Sequence, residues 1–115
     1  MKFPPATLEQ QRLKCAHHSV PFFECVPHQK VGVSLSVRSG ELPIHGLRHP
    51  PVGGTTGWYI WTGELGDSSE FFVPLHAEHL LEWCPLIVPY LGMAPGWRFL
   101  LSEKHVDVWE DRSLL

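Results

Sequence analysis

All five tryptophans of this chain, Trp58, Trp61, Trp83, Trp97 and Trp109, lie in its second half among glycine and proline turns. Side chains that large and flat must be buried in a packed core or presented at a surface. A length of 115 residues leaves room for one hydrophobic core. The aromatic half therefore constrains the chain to a small, tightly packed domain. Trp58 or Trp61, Trp97 and Phe99 are expected as core fillers. Trp109, Trp83 and Tyr59, which neighbour acidic or histidine residues, are expected nearer the surface.

Periodicity places these residues on elements. Trp58 to Thr62 is aromatic or β-branched on both faces, which predicts a central strand. Gly63 to Ser69 predicts a turn, and Phe71 to Val73 a strand returning antiparallel to it, ended by Pro74. Val31, Val33, Leu35 and Val37 alternate with Gly32, Ser34 and Ser36, predicting a strand through Val37 with one core face. Phe22 to Val26, between two prolines, reads as a short edge strand. Arg38 to Thr56 holds three prolines and four glycines without a period and predicts a long surface loop containing His45 and His49. Trp97 to Leu101 and Val106 to Trp109 predict two more strands.

Helical spacing from Leu75 to Cys84 puts Ala77, Leu80, Leu81 and Cys84 on a core face, with Glu78 and Glu82 opposite. His76, His79 and Trp83 line the flank between. A second short helix is predicted from Pro85 to about Leu91, stopped by Gly92. Thr7 is placed to cap a short helix through Lys14, whose apolar stripe of Leu8, Gln11 and Ala16 is thin. The expectation is an α+β fold: a single domain, an antiparallel sheet of about four to six strands, and one or two short helices packed on one face. Residues 31–115 are expected to form that domain, and residues 1–30 an N-terminal extension.

Nine Lys and Arg against twelve Asp and Glu give a formal net charge of −3. Without a basic footprint, nucleic acid is not expected as the partner. No apolar run reaches the roughly 18–20 residues of a membrane helix, so no membrane partner is expected either. Lys2 is followed by Pro4, Pro5, Glu9 and Gln10, which does not read as a secretory signal, and the chain reads as cytoplasmic. Cys15, Cys25 and Cys84 are odd in number and scattered, which suits free thiols in a reducing compartment.

Catalytic signatures are weak. There is no Gly-x-Ser-x-Gly elbow, Cys84 falls on the core face, and Glu78 and Glu82 sit one turn apart on a solvated face. Gly53-Gly54-Thr55-Thr56-Gly57 lacks the lysine of a phosphate-binding loop and leads into a strand. His76-x-x-His79 with Cys84 resembles a metal-ligand set, but the helical wheel separates Cys84 from both imidazoles. No enzyme activity, metal or cofactor is therefore expected. The alternative is a small metal-binding protein or enzyme using His76, His79 and nearby carboxylates. The residue types that anchor protein interfaces stand out instead. Trp109 with Asp107, Glu110 and Asp111 makes an aromatic anchor with an acidic rim, and His76, His79 and Trp83 make a second candidate patch.

Four segments together resemble immunity protein family thirty-three of bacterial polymorphic-toxin systems. They are Gly57-Trp-Tyr-Ile-Trp-Thr-Gly-Glu64, Phe71-Phe-Val-Pro-Leu-His-Ala-Glu-His-Leu80, Pro95-Gly-Trp-Arg-Phe99, and the close Asp107-Val-Trp-Glu-Asp-Arg-Ser-Leu-Leu115. The resemblance covers about residues 30–115. It implies a small cytoplasmic α+β protein that binds and neutralises a cognate toxin, with no cofactor and no catalysis, and it carries over no contact residues. Trp-rich chains with a Pro-Gly-Trp turn also occur in the yeast cell-wall-regulator-like superfamily of immunity proteins, a second group that this chain resembles.

Overall fold

The computed structural model describes residues 3–115. Strand β3 (Thr55–Thr62) holds the middle of its sheet. Side chains alternate across a strand, so Trp58, Ile60 and Thr62 point to one face while Tyr59 and Trp61 point to the other. β1 (Lys30–Val33) runs parallel to β3 on one side, and β2 (Ile44–Arg48) runs antiparallel on the other. β4 (Val73–His76) pairs antiparallel with β1. β5 (Trp97–Leu101) pairs with β2, and β6 (Val106–Glu110) with β5, both antiparallel. The order is β4-β1-β3-β2-β5-β6. The fold is α+β, with a mostly antiparallel sheet.

One face of the sheet is covered. Helix α1 (Pro5–His17), the single turn α2 (Leu80–Trp83) and a 3₁₀ segment (Pro85–Tyr90) bring Cys15, Leu80, Ile87, Val88 and Tyr90 onto it. They meet Val31, Val33, Ile44, Trp58, Ile60, Phe99 and Leu101. The Phe99 ring centroid lies 5.5 Å from that of Trp58 and 5.4 Å from that of Tyr90. Most buried polar groups are paired, with Gln11 Oε1, Glu78 Oε2 and Arg98 Nε left without a partner among the described residues. Trp58 Nε1 donates to the Leu91 carbonyl at 2.9 Å, and Gln11 Nε2 to the Val88 carbonyl at 3.1 Å.

Arg48 lies in this core, 1% exposed. Its Nε donates to the Thr56 carbonyl at 2.9 Å, and Nη1 to those of Phe23 and Met93, each at 2.8 Å. Nη1 also reaches the Leu91 carbonyl at 3.2 Å, and Nη2 that of Glu24 at 3.1 Å. One guanidinium thereby ties β3 to the segments at 23–24 and 91–93.

Several elements differ from expectation. β1 stops at Val33, and residues Leu35–Ser39 form a 3₁₀ turn. The Val37 amide donates to the Ser34 carbonyl, and Thr62 Oγ1 donates to Ser36 Oγ at 2.6 Å. In a 3₁₀ turn positions i and i+3 share a side, so Ser34 and Val37 point inward and Leu35 is 66% exposed. The stretch expected to be a loop contains β2. Its core-facing positions are Ile44, Gly46 and Arg48, a glycine and a cation where alternation would show apolar residues. The Phe99 ring fills the space a Cβ at Gly46 would need.

Phe71-Phe72-Val73 does not return beside β3, because β1 occupies that side. Strand pairing resumes at Val73 along the outer edge of β1, with Pro74 opposite Gly32. An edge strand tolerates a residue without an amide hydrogen. The helix expected from Leu75 is correspondingly shorter: Leu75 and His76 remain in β4, and Ala77–His79 is a 3₁₀ turn. Ala77, Leu80 and Cys84 are buried as their spacing implied, and Leu81 is half-buried. α1 begins at Pro5, whose missing amide hydrogen costs nothing in a first turn. It buries Gln11 and Cys15 and leaves Ala16 exposed. Phe22 makes only an isolated bridge to Met93.

Candidate functional site

Among the described residues the other face of the sheet carries no helix. Register fixes one row across all six strands: Pro74, Gly32, Tyr59, Leu47, Arg98 and Trp109. A second row holds Trp61, His45, Leu100 and Asp107. The segment between β3 and β4 folds back over the middle. Phe72 meets Tyr59 edge-on at 5.2 Å between centroids and Trp61 at 6.0 Å, and His45 stacks on Trp61 at 4.9 Å. Trp61 is buried beneath these neighbours, whereas Tyr59 is 39% exposed. Gly32 is needed beneath that ring, since a Cβ there would sit 2.8 Å from Tyr59 Cδ1.

Trp109 is 37% exposed at the β6 edge, and the Arg98 guanidinium lies over its ring at 5.3 Å. Arg98 Nη1 also pairs with Asp111 Oδ2 at 3.2 Å. The Ser113 hydroxyl and amide and the Arg98 guanidinium hold the half-buried Asp111 carboxyl below its ordinary value. Asp107 shares the face and meets His105 Nε2 at 3.0 Å. Glu110 points to the opposite face in register with Trp97, and it lies 3.7 Å from Arg112. Trp109, Asp107 and Asp111 thus come together around Arg98, and Glu110 does not join them.

His76 lies at the β4 edge, at the far side of the same sheet. Its ring stacks near that of His79, with centroids 6.0 Å apart. Trp83 belongs to the helical layer, under the Arg38 guanidinium at 5.2 Å. The ligand atoms of His76, Glu78 and His79 lie within 4.8 Å of one another. That bound is looser than the roughly 3.3 Å ligand separation of a tetrahedral zinc with bonds of about 2.0 Å. Glu78, not Cys84, is the third member, because Cys84 is buried in the core. As placed, these groups do not favour a metal centre.

Burial lowers the His45 imidazole below the ordinary 6.5, and the Arg98 charge pushes it further down. The ring stacked on Trp61 is therefore neutral at physiological pH. Of the side chains at the middle of the face, Tyr59, Phe72, Leu47 and Leu65, the sequence marked only Tyr59, as one expected nearer the surface. Leu47 and Phe72 lay in segments whose pairing partners a sequence does not reveal.

Among the described residues no helix is long and apolar enough to cross a membrane. No curated protein and no solved structure matches the chain. The family model of the Imm33-like domain matches residues 10–111, and the chain belongs to that family.

Proposed function

We propose that this chain is an immunity protein that binds a protein toxin in the cytoplasm and neutralises it by occlusion, without cofactor or catalysis. The family match over residues 10–111 carries the reading. The uncovered, aromatic face of the sheet supports it. Exposed Trp and Tyr side chains with a polar rim are what protein interfaces use as anchors. The proposed contact runs along this face from Trp109, Asp107 and Asp111 at one edge toward His76 and His79 at the other; Glu110 and Trp83, which lie on the opposite side of the sheet, fall outside it.

The test is co-expression in bacteria with the toxin domain encoded beside the chain's own gene. Protection by the wild-type chain is expected, together with a stable complex of the purified pair. Trp109→Ala should weaken that complex by about 2 kcal/mol or more while leaving the melting temperature nearly unchanged. Exchanging Asp107, Glu110 and Asp111 for amides should slow association and reduce its dependence on salt. Full protection by both variants would move the contact to the His76 end. A wild-type chain that neither protects nor binds would refute the reading.

A further inference from the structure

The middle of the open face has the features of a receptor for a cationic side chain. Tyr59 stands between two cavities. One, of about 230 Å³, is bordered by Gly32, Phe72 and Pro74; the other, of about 240 Å³, by Leu47, Trp61 and Leu65. Tyr59 and Phe72 line both, with Trp61 added in the second, and aromatic rings attract cations through their quadrupoles.

Charge gives the second, independent indication. Leu65 belongs to the segment Gly63–Glu70, which is exposed throughout and carries Glu64, Asp67 and Glu70 with no Lys or Arg. Outside it nine Lys and Arg face nine Asp and Glu, so the formal net charge of −3 resides in these eight residues. Lys30 borders the first cavity, so the second, with no Lys or Arg in its lining, is the one open to a cation; Arg98, further along the face, is already engaged by Asp111 and the Trp109 ring. Arg12, Lys14, Arg38 and Arg48 likewise each lie over a ring of this chain, so the pairing recurs here. An aliphatic anchor would fill the second cavity but would leave the carboxylates of the segment that carries Leu65 without a counter-charge.

Resting on the toxin-binding reading, we propose that the Tyr59–Phe72 notch and its acidic loop receive a lysine or arginine side chain projecting from a basic surface of the partner protein. The carboxylates steer the partner in and rim the notch, and the rings hold the cation and its aliphatic stem.

The probe is the capped tripeptide Gly-Arg-Gly, titrated into the full chain and followed by NMR. Saturable shifts are expected at the Tyr59 and Leu65 amides and the Trp61 indole, and the same peptide with glutamine in place of arginine should bind at least about fivefold more weakly. Glu64→Gln, Asp67→Asn and Glu70→Gln together should reduce arginine-peptide affinity by a similar factor with an unchanged melting temperature. Tyr59→Leu should do the same while keeping the bulk over Gly32. Equal binding of both peptides, shifts centred elsewhere, or no saturable shift would overturn the notch. The co-expression assay separates the two readings. A wild-type chain that fails to protect refutes the immunity function and leaves the peptide result to decide the notch. A wild-type chain that protects, alongside loop and Tyr59 variants with undiminished protection and association rate, refutes the notch alone.

Discussion

Arg48 brings a positive charge into the core and balances it with five hydrogen bonds to backbone carbonyls and with the Phe23 and Trp58 rings, 5.0 and 5.6 Å from its guanidinium carbon. Burial lowers its pKa from the ordinary guanidinium value, yet a guanidinium remains charged at any physiological pH. Arg48→Met should cost about 3–5 kcal/mol in urea denaturation, because it leaves buried carbonyls in three chain segments short of donors. Arg48→Lys should recover only a minority of that, since one ammonium cannot reach all three. A midpoint within experimental error of wild type would show that water replaces the side chain. His45 and His18 titrate in the opposite sense to a salt-bridged histidine. Burial lowers both below 6.5, helped at His18 by His17 and Lys14. The unfolded chain therefore takes up these protons first, and stability is fully present above pH 6.5 and falls as pH drops from there toward the folded values. His45→Gln should flatten the dependence of melting temperature on pH in that window. The thiols of Cys15, Cys25 and Cys84 are free and buried, and desolvation pushes that of Cys25 up to about 12. Labelling by a thiol reagent should follow the unfolding rate, and a fast-reacting thiol in the native protein would contradict that burial.

Among the elements, β2 is the most informative. It joins β3 to β5 and so holds the two halves of the sheet together, yet its core side is built from Ile44, Gly46 and Arg48. Gly46→Ala should destabilise by about 1–3 kcal/mol or more, because the added methyl must displace the Phe99 ring from its packing on Trp58 and Tyr90. In the helical layer, α2 is a single turn whose stability comes from packing, not from its own hydrogen bonds. Leu80, fully buried, anchors it, and Leu80→Ala should cost about 2–5 kcal/mol. A melting curve unchanged by that substitution would show that the helical layer is not packed as described. The edges β4 and β6 are short, and Pro74 in β4 discourages a further strand from adding there.

For the whole molecule the consequence is asymmetry. All the helical segments that enter the core lie on one face, and the opposite face is left with Tyr59, Trp61, Phe72, Leu47 and Trp109 under partial cover. Six strands at about 4.8 Å spacing make this face roughly 24 Å wide, enough for one partner to span from His76 to Trp109. The acidic loop borders its middle, so association with a basic partner should be faster at low ionic strength and slow steeply as salt is added, while dissociation changes less. Measuring both rates across a salt series checks this, and a salt-insensitive association rate would contradict a role for Glu64, Asp67 and Glu70.

The sequence by itself determined the fold class, the central place of Trp58 to Thr62, the strands at Trp97 and Val106, and the core side of Ala77, Leu80 and Cys84. Each is a local pattern in which side-chain period and burial agree. The segment-by-segment resemblance likewise sufficed for the family. Only the tertiary structure decided which strands pair. β1 lies beside β3 in parallel, β4 pairs with β1, and the chain at 44–48 is a strand at all because Phe99 supplies the bulk that Gly46 lacks and backbone carbonyls solvate Arg48. No periodicity records a partner that lies 50 residues away in the chain, roughly the separation between Gly46 and Phe99. The open face has the same origin. Pro74, Gly32, Tyr59, Leu47, Arg98 and Trp109 come from six strands, and register alone sets them in one row.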